Sequence, residues 1–432
     1  MWRPFYLLFR SISGVSLWAQ RRFTRAGLLA VCALILTAVF GVDTSLTVAY
    51  QIFTFLLALL AIALVSAWFG GTPLAVQARL PHTLTAGERF VLRFTVRNTS
   101  DTLLDGVALR AEVGDPRPAF AQFKAGSRFP TYRGWIHLVA TNRVADLEEA
   151  VVPALPARGT ADVEAQGLAL RRGRLRITGI ASARTEALGL MRRLLPASGA
   201  ADICVLPKRY PLPQLSLPGA RRHQPGGLPQ GSSVGDSEEF LGLRDYRPGD
   251  ALQRIHWRSF ARAGKPVVKE YQDEFVARHA LILDTFGNTG SREDETAFEE
   301  AVAVAASFAW TIDTQECLLD LMFVGERMHT FTAGHGQMMP SRLLEVLAGV
   351  SLAGDSEIRT LVEAVRARRE QLSGCVCILL HWDESRRALL DAIRASGATV
   401  LPLLVAAAAP DDLPPGIRLL RPGHIAEDLA AL

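Results

Sequence analysis

Residues 235–275, GDSEEFLGLRDYRPGDALQRIHWRSFARAGKPVVKEYQDEF, decide how this chain is read. Arg244, Asp245, Tyr246, Arg247, Asp250, Arg254, His256, Trp257, Arg258 and Arg262 crowd into the middle of that span. The mixture is too charged for a core and too rich in aromatic and turn residues for a solvated linker. Pro248-Gly249 predicts a tight turn. Asp250 is placed to cap a helix over Ala251 to Ala263, and Gly264 to end it. Pro266 then opens an extended, alternating run from Val267 to Phe275, and Trp257 is expected to be largely buried by its neighbours. The plainer reading is a turn–helix–strand connector held by local ion pairs; the sharper one is a functional surface.

Downstream, the pattern is α/β. Short apolar strands at Ala280–Asp284, Leu318–Val324, Val376–His381 and Thr399–Val405 alternate with helical periodicity at Glu293–Thr311, Leu343–Val350, Ile358–Gln371 and Glu384–Ser396. That alternation predicts a mainly parallel sheet with helices on both faces. Ligands on such sheets gather at the carboxyl ends of strands, and Asp284 and Asp383 both fall just past one. Cys375 and Cys377 alternate along a strand, so they suit neither a disulfide nor a metal pair and read as buried free thiols.

Upstream of the quoted span, Pro207 to Val234 is rich in proline and glycine and is expected to be an extended loop. Thr72 to Leu206 alternates with period two between turn residues, as in Phe90–Val96, Val107–Val113 and Leu175–Ile180, which predicts an antiparallel β-sandwich. Ala26–Val42 and Leu46–Phe69 are apolar runs separated only by Asp43-Thr44-Ser45, so a transmembrane hairpin crossing twice is expected. Arg3, Arg10, Arg21, Arg22 and Arg25 precede the first run, which places the N-terminus and all that follows the second run in the cytoplasm. No small-residue cleavage site follows the first run, so a removed signal peptide is not expected. Trp2, Phe5, Tyr6, Phe9 and Trp18 are candidate interfacial anchors. The formal charge of +4 over 432 residues gives nucleic-acid binding no electrostatic support.

The order Gly235, Phe240, Gly242, Leu243, Arg244, Tyr246, Pro248, Gly249, Asp250, then Ile255, Trp257, Ala261, Arg262, then Lys269, Glu270, resembles the signature of the bacterial domain-of-unknown-function-58 family. The resemblance implies a β-sandwich followed by a von Willebrand factor A-like α/β domain, and partnership with MoxR-type AAA+ ATPases. It also implies an Arg-Gly element, here Arg172-Gly173, and an Asp-Pro-Phe-Gly-Leu element, of which Glu186-Ala187-Leu188-Gly189-Leu190 keeps only Gly-Leu. The resulting organisation is a basic segment at 1–25, two spans within 26–69, a sandwich at 72–206, a loop at 207–234, the signature at 235–275 and the α/β domain at 276–432.

Many von Willebrand factor A domains hold magnesium through Asp-x-Ser-x-Ser, a Thr and a later Asp, a hard oxygen set that suits that ion. Asp284, Asn288, Ser356 (or Thr360) and Asp383 stand at the matching positions, with Phe286 in place of the first Ser. No cofactor is expected otherwise. The leading functional expectation is a scaffold or adaptor at the bacterial inner membrane, with a MoxR-type ATPase as partner and a protein client the sequence does not name. In it Arg244, Asp245, Tyr246, Pro248, Gly249, Asp250, His256, Trp257 and Arg262 form an interface, either between domains or toward the ATPase. Two alternatives stand beside it. One is a membrane-bound enzyme or enzyme subunit using His256 with Asp245 and Asp250; the other is a magnesium-dependent ligand-binding module. No nucleophile elbow, HExxH or phosphate loop is present.

Overall fold

Three helices precede the first strand: α1 (Trp2–Arg22), α2 (Arg25–Phe40) and α3 (Thr47–Trp68). The computed structural model describes residues 2–40, 47–68, 72–125, 129–213, 239–248, 250, 252–272, 277–288, 291–312, 317–324, 328–333, 339–353, 358–367 and 372–432. Among them, Val48–Ala67 of α3 is the one stretch long and apolar enough to cross a membrane. The 16 described residues of α2 are also apolar and extend about 24 Å at 1.5 Å per residue, with 41–46 outside the described residues. Of the expected pair of spans, one helix of spanning length is present among the described residues, with α2 packed along it.

The start of α2 is fixed to the protein by backbone contact. Thr24 donates its N–H to the Leu190 carbonyl at 3.0 Å and its hydroxyl to the Gly189 carbonyl at 2.6 Å. A Cβ at Gly27 would lie 2.0 Å from the Leu190 oxygen, so only glycine admits this approach. Gly189 itself turns at φ 71°, and the Glu186 carboxylate gathers the N–H groups of Leu188, Leu190 and Met191. The surviving Gly-Leu pair is thus a seat for the first apolar helix.

Among the described residues ten strands follow: β1 (Leu74–Arg79), β2 (Thr83–Thr85), β3 (Arg89–Asn98), β4 (Val107–Val113), β5 (Ala145–Leu147), β6 (Ala150–Val151), β7 (Thr160–Ala169), β8 (Gly173–Thr185), β9 (Arg192–Ser198) and β10 (Ala201–Leu206). One sheet runs β1-β3-β7-β5; the other runs β2-β10-β8-β4-β6, with β9 pairing the far half of β8. Phe90, Leu92, Phe94 and Val96 of β3 alternate inward and share one core with Leu109, Leu175, Ile177 and Ile203 of the other sheet. Period-two patterning therefore produces a β-sandwich. The sequence reading missed an insertion between β4 and β5, helices α4 (Phe120–Ala125) and α5 (Tyr132–Thr141). Trp2, Tyr6 and Phe9 of α1 pack on its Phe123, Trp135 and Leu138, so these three aromatics face protein, contrary to their expected role as interfacial anchors.

The chain divides into two compact units. The first holds Met1–Tyr210 with Gly287–Ser307 and Leu344–Gly354; the second holds Pro211–Phe286, Phe308–Leu343 and Asp355–Leu432. The division is not linear in sequence, since two stretches of the expected α/β region belong with the sandwich. Pro207 and Tyr210 are buried rather than part of a loose loop, and 214–238 lie outside the described residues.

The second unit contains a hairpin of β11 (Glu239–Asp245) and β12 (Val267–Gln272) around α6 (Trp257–Ala263). Its main sheet is built from β13 (Ala277–Leu283), β14 (Cys317–Val324), β15 (Met328–Ala333), β16 (Gly374–Leu379), β17 (Thr399–Val405) and β18 (Arg418–Leu420). The intervening helices are α7 (Arg292–Thr311), α8 (Pro340–Gly349), α9 (Ile358–Ala367) and α10 (Glu384–Ala395), and α11 (Ile425–Ala430) closes the chain; α7 and α8 are divided between the units. Strand order is β15-β14-β13-β16-β17-β18, parallel except at β15, as the alternation predicts apart from the unforeseen β15 and β18. All six residues of β16 are buried, Cys375 and Cys377 included, and burial pushes both thiols up. The chain moves one way from β13 to β14 and the other way from β16 to β18. The reversal point, where such sheets bind ligands, therefore lies between the ends of β13 and β16.

Candidate functional site

The signature folds as a small hairpin with a helix in the segment that joins its two strands. β11 and β12 pair antiparallel, Asp245 opposite Val267, with a bulge between Phe240 and Gly242. The Arg244 guanidinium grips Asp250 as a fork, both N···O distances being 2.7 Å, and the Arg247 N–H adds a third donor at 2.8 Å. The Arg244 hydrogen bond first, then that of the Arg247 amide, lower the Asp250 carboxyl to about 2. Asp250 thus closes the Arg247 turn and does not cap the helix. Gly249 and Ala251 lie outside the described residues.

The expected helix over Ala251–Ala263 is broken in two. Leu252–Arg254 forms a 3₁₀ turn, and buried Ile255 then bridges Val268 of β12, a pairing incompatible with helical backbone. α6 begins only at Trp257, and His256 caps it: its Nδ1 accepts from the Ser259 N–H at 3.3 Å and lies 2.7 Å from the Ser259 hydroxyl. Gly264, at φ 66°, ends the helix as predicted. With Asp250 committed to Arg244 and His256 to Ser259, the carboxylate–imidazole pairing that general acid–base chemistry needs is not formed here.

The expectation of a buried Trp257 fails outright. The indole is 63% exposed, in edge-to-face contact with Phe260 at 6.1 Å, and Leu252 is 66% exposed. Arg247, Arg258 and Arg262 are exposed, as is Asp245, while Tyr246 is half-buried with its N–H on the Pro266 carbonyl. The face of α6 thus offers aromatic and cationic side chains together.

The reversal point of the sheet is closed from within. Asp284, just past β13, is fully buried and receives the Phe286 N–H at 3.0 Å, the Leu380 N–H at 3.2 Å and the Arg386 Nε at 3.0 Å. Asp383 caps α10, accepting the Arg386 N–H at 2.9 Å, and also pairs with the Arg386 guanidinium. Burial works against the Arg386 charge, but pairing with Asp284 and then Asp383 outweighs it and raises its pKa above the ordinary value. The guanidinium also reaches the Phe286 carbonyl at 3.1 Å.

All four oxygens of Asp284 and Asp383 therefore accept from protein donors, and a tethered cation lies between the two carboxylates. This arrangement does not fit magnesium. Asn288 belongs to the other unit, where its N–H meets Asp294; Ser356 lies outside the described residues; Thr360 sits in the first turn of α9. Among the described residues no group of three or more His, Cys, Asp or Glu side chains is placed to hold a metal. Sequence reading missed Arg386, although an arginine three residues after a helix-capping aspartate is a legible signal.

A second buried arginine acts within the first unit. Arg172, in the turn from β7 to β8, pairs with Glu299 of α7, donates to the Leu347 and Val350 carbonyls at 3.2 and 2.7 Å, and lies 5.0 Å from the Phe298 ring centre. Burial pulls its pKa below the ordinary value, and Glu299 opposes this. Tyr210 supports the same helix, donating its hydroxyl to Glu300 at 2.5 Å and its N–H to Ser307 at 2.8 Å. Burial, then Glu300, holds the phenol in its protonated form. The signal for these partners was Glu299-Glu300 inside an otherwise apolar helix segment.

In the first unit, a cleft of about 570 Å³ is lined by Arg110, Glu112, Asp115, Arg143, Asp146 and Glu149 among others. Its lining contains no histidine, cysteine or serine, and its reactive groups are carboxylates and guanidinium groups.

Comparison with known proteins bears on the second unit above all. Residues 242–415 match the family described as protein of unknown function DUF58. The uncharacterized protein YeaD of Bacillus subtilis (strain 168) is 27% identical over 129 residues, which is 29% of this chain and 31% of that protein. The chain thus spans about a third of the length of the curated relative it matches. Among solved structures, the CARDB domain of a Pyrococcus furiosus protein is 11% identical, covering 31% of this chain and 94% of that one, at a TM-score of 0.18. The ASH / PapD-like domain of human CEP192 is 12% identical, covering 32% and 90%, also at 0.18. Likenesses of that size carry no argument about the fold. The likeness to the DUF58 family thus rests on residues 242–415, with most of the signature at their head.

Proposed function

We propose that this protein is an adaptor anchored in the bacterial inner membrane, and that its signature hairpin docks a MoxR-type AAA+ ATPase acting on a protein client. Two observations support the anchor: α3 has spanning length, and the apolar helix α2 packs along it with exposed Leu29, Ile35, Leu36 and Val39. On this reading α2 completes a hairpin that crosses twice. The arginines before it keep the N-terminus, the sandwich and the α/β unit cytoplasmic. That unit serves as a von Willebrand factor A-like scaffold whose ligand edge is filled by Arg386.

The observation that carries the docking is the exposed Trp257–Phe260 pair beside Arg258 and Arg262. Trp and Arg dominate the energetic centres of protein interfaces, and an exposed indole gains most from being covered. The test uses the full chain in detergent and a purified MoxR-type ATPase of the same organism, with and without ATP. W257A/F260A should weaken binding about thirtyfold, the effect of losing a hot spot worth about 2 kcal/mol, while thermal unfolding stays within a few degrees. Equal affinity for the variant, or no binding by the parent chain, would contradict the proposal.

A further inference from the structure

We infer that α1 and the α4–α5 insertion form a platform that lies on the anionic leaflet of the membrane, with α1 as its lipid-facing member. The inference rests on the membrane anchoring proposed above. α1 has two apolar faces, and the structure accounts for only one. Trp2, Tyr6 and Phe9 dock on the insertion, with Trp2–Phe123 and Tyr6–Trp135 ring centres 5.6 and 5.7 Å apart, and the Arg117 guanidinium reaching the Arg10 carbonyl at 3.2 Å. Phe5, Leu8, Ile12 and Val15 recur at spacings of three and four on a different stripe and are exposed. The stripe continues onto α5. Phe5 and Tyr132 both contact Phe9, at 6.2 and 5.4 Å, and Ile136 stands exposed one turn beyond Tyr132.

Charge and connection select the occupant. Arg3, Arg10 and Arg21 share the opposite stripe of α1, where Asp115 of the connection after β4 lies 3.9 Å from Arg10, and no acid occurs in the sequence before Asp43. A helix with an apolar face and a basic polar face opposite it is attracted to a surface of anionic headgroups over buried acyl chains. α1 ends at Arg22 and α2 begins at Arg25, so the platform leaves the chain at the foot of the apolar helices. A protein partner would not require that position; a bilayer does.

The test is lipid photocrosslinking with the full chain in phosphatidylcholine/phosphatidylglycerol vesicles at a ratio of about 7:3. Benzoylphenylalanine is placed singly at Leu8, at Ile136 or, as a reporter of the spanning helix, at Phe55. Lipid adducts at Leu8 and Ile136 as well as at Phe55 are expected, and those at Leu8 should fall several-fold in phosphatidylcholine alone while Phe55 is unchanged. Adducts at Phe55 without any at Leu8 would overturn the platform and leave the anchor standing. Crosslinks at Leu8 joining two copies of the chain would overturn it in favour of self-association. Leu8 adducts indifferent to phosphatidylglycerol would overturn the anionic preference. Absence of adducts at all three positions would overturn the anchor itself, and the platform with it.

Discussion

Two arginine-centred regions of the second unit look alike in sequence and differ entirely in structure. Around Arg386 every carboxylate oxygen is matched by a donor, and the guanidinium side chain is only 5% exposed. Around Arg244 one fork to Asp250 shapes a turn, and the remaining cations and the Trp257 ring stay in solvent. Saturation marks a scaffold, since a group whose bonds are all made internally has none to offer a ligand. An exposed indole among arginines is, on the proposed reading, a surface left for a partner. The strand-end aspartates thus do not fit the magnesium-binding alternative, and the tryptophan expected to be buried is exposed.

The largest effect should come from breaking the saturated side. R386A leaves Asp284 buried without its cation and should cost about 3–5 kcal/mol, read as a lowered thermal midpoint of the full chain in detergent. R386K, which restores charge without the fork, should recover part of it. An unchanged midpoint for R386A would remove the contrast between the two regions.

R172A sharpens the same point within the first unit. It frees the Leu347 and Val350 carbonyls and strands Glu299, but that carboxylate is 40% exposed and water relieves it. The cost should therefore sit near the lower end of the same range, about 3 kcal/mol, and below that of R386A. A larger loss than R386A would mean that the sandwich side, and not the sheet edge, holds the more critical clasp.

The smallest effect concerns pH at the signature. The Asp250 carboxyl is lower in the folded chain, at about 2, than its ordinary value of 3.8, so the Arg244 fork contributes in full above that ordinary value. Its contribution fades as pH falls through about 2, which confines the effect to strongly acidic solution. The ¹³C carboxyl resonance of Asp250 should remain that of an ionised group at pH about 3. A midpoint near the ordinary value would show that the fork does not persist in solution.

Much of the architecture was legible because periodicity is a local signal. Alternation in β3 and the helical run that becomes α7 gave their elements directly, and Gly264 ended its helix for the reason the sequence suggests. Capping was less legible, because Asp250 and His256 are both competent acceptors and the choice fell to Ile255. Once that residue pairs with Val268, the helix starts after it and His256 is left at the cap. Pairings such as Arg172–Glu299 and Arg386–Asp284 join residues far apart in sequence, and only the fold brings them together. Exposure of Trp257 had no sequence signal, since a tryptophan reads the same in a core and on a docking face.

The central claim is that the face of α6 is where this chain meets its partner. Hydrogen exchange of the full chain in detergent, with and without the MoxR-type ATPase, tests it most directly. Slowed exchange is expected at Trp257–Ala263 and the adjoining β11–β12 hairpin, with the Asp284–Arg386 region unchanged. Complex formation that leaves α6 unprotected and slows exchange elsewhere would contradict it.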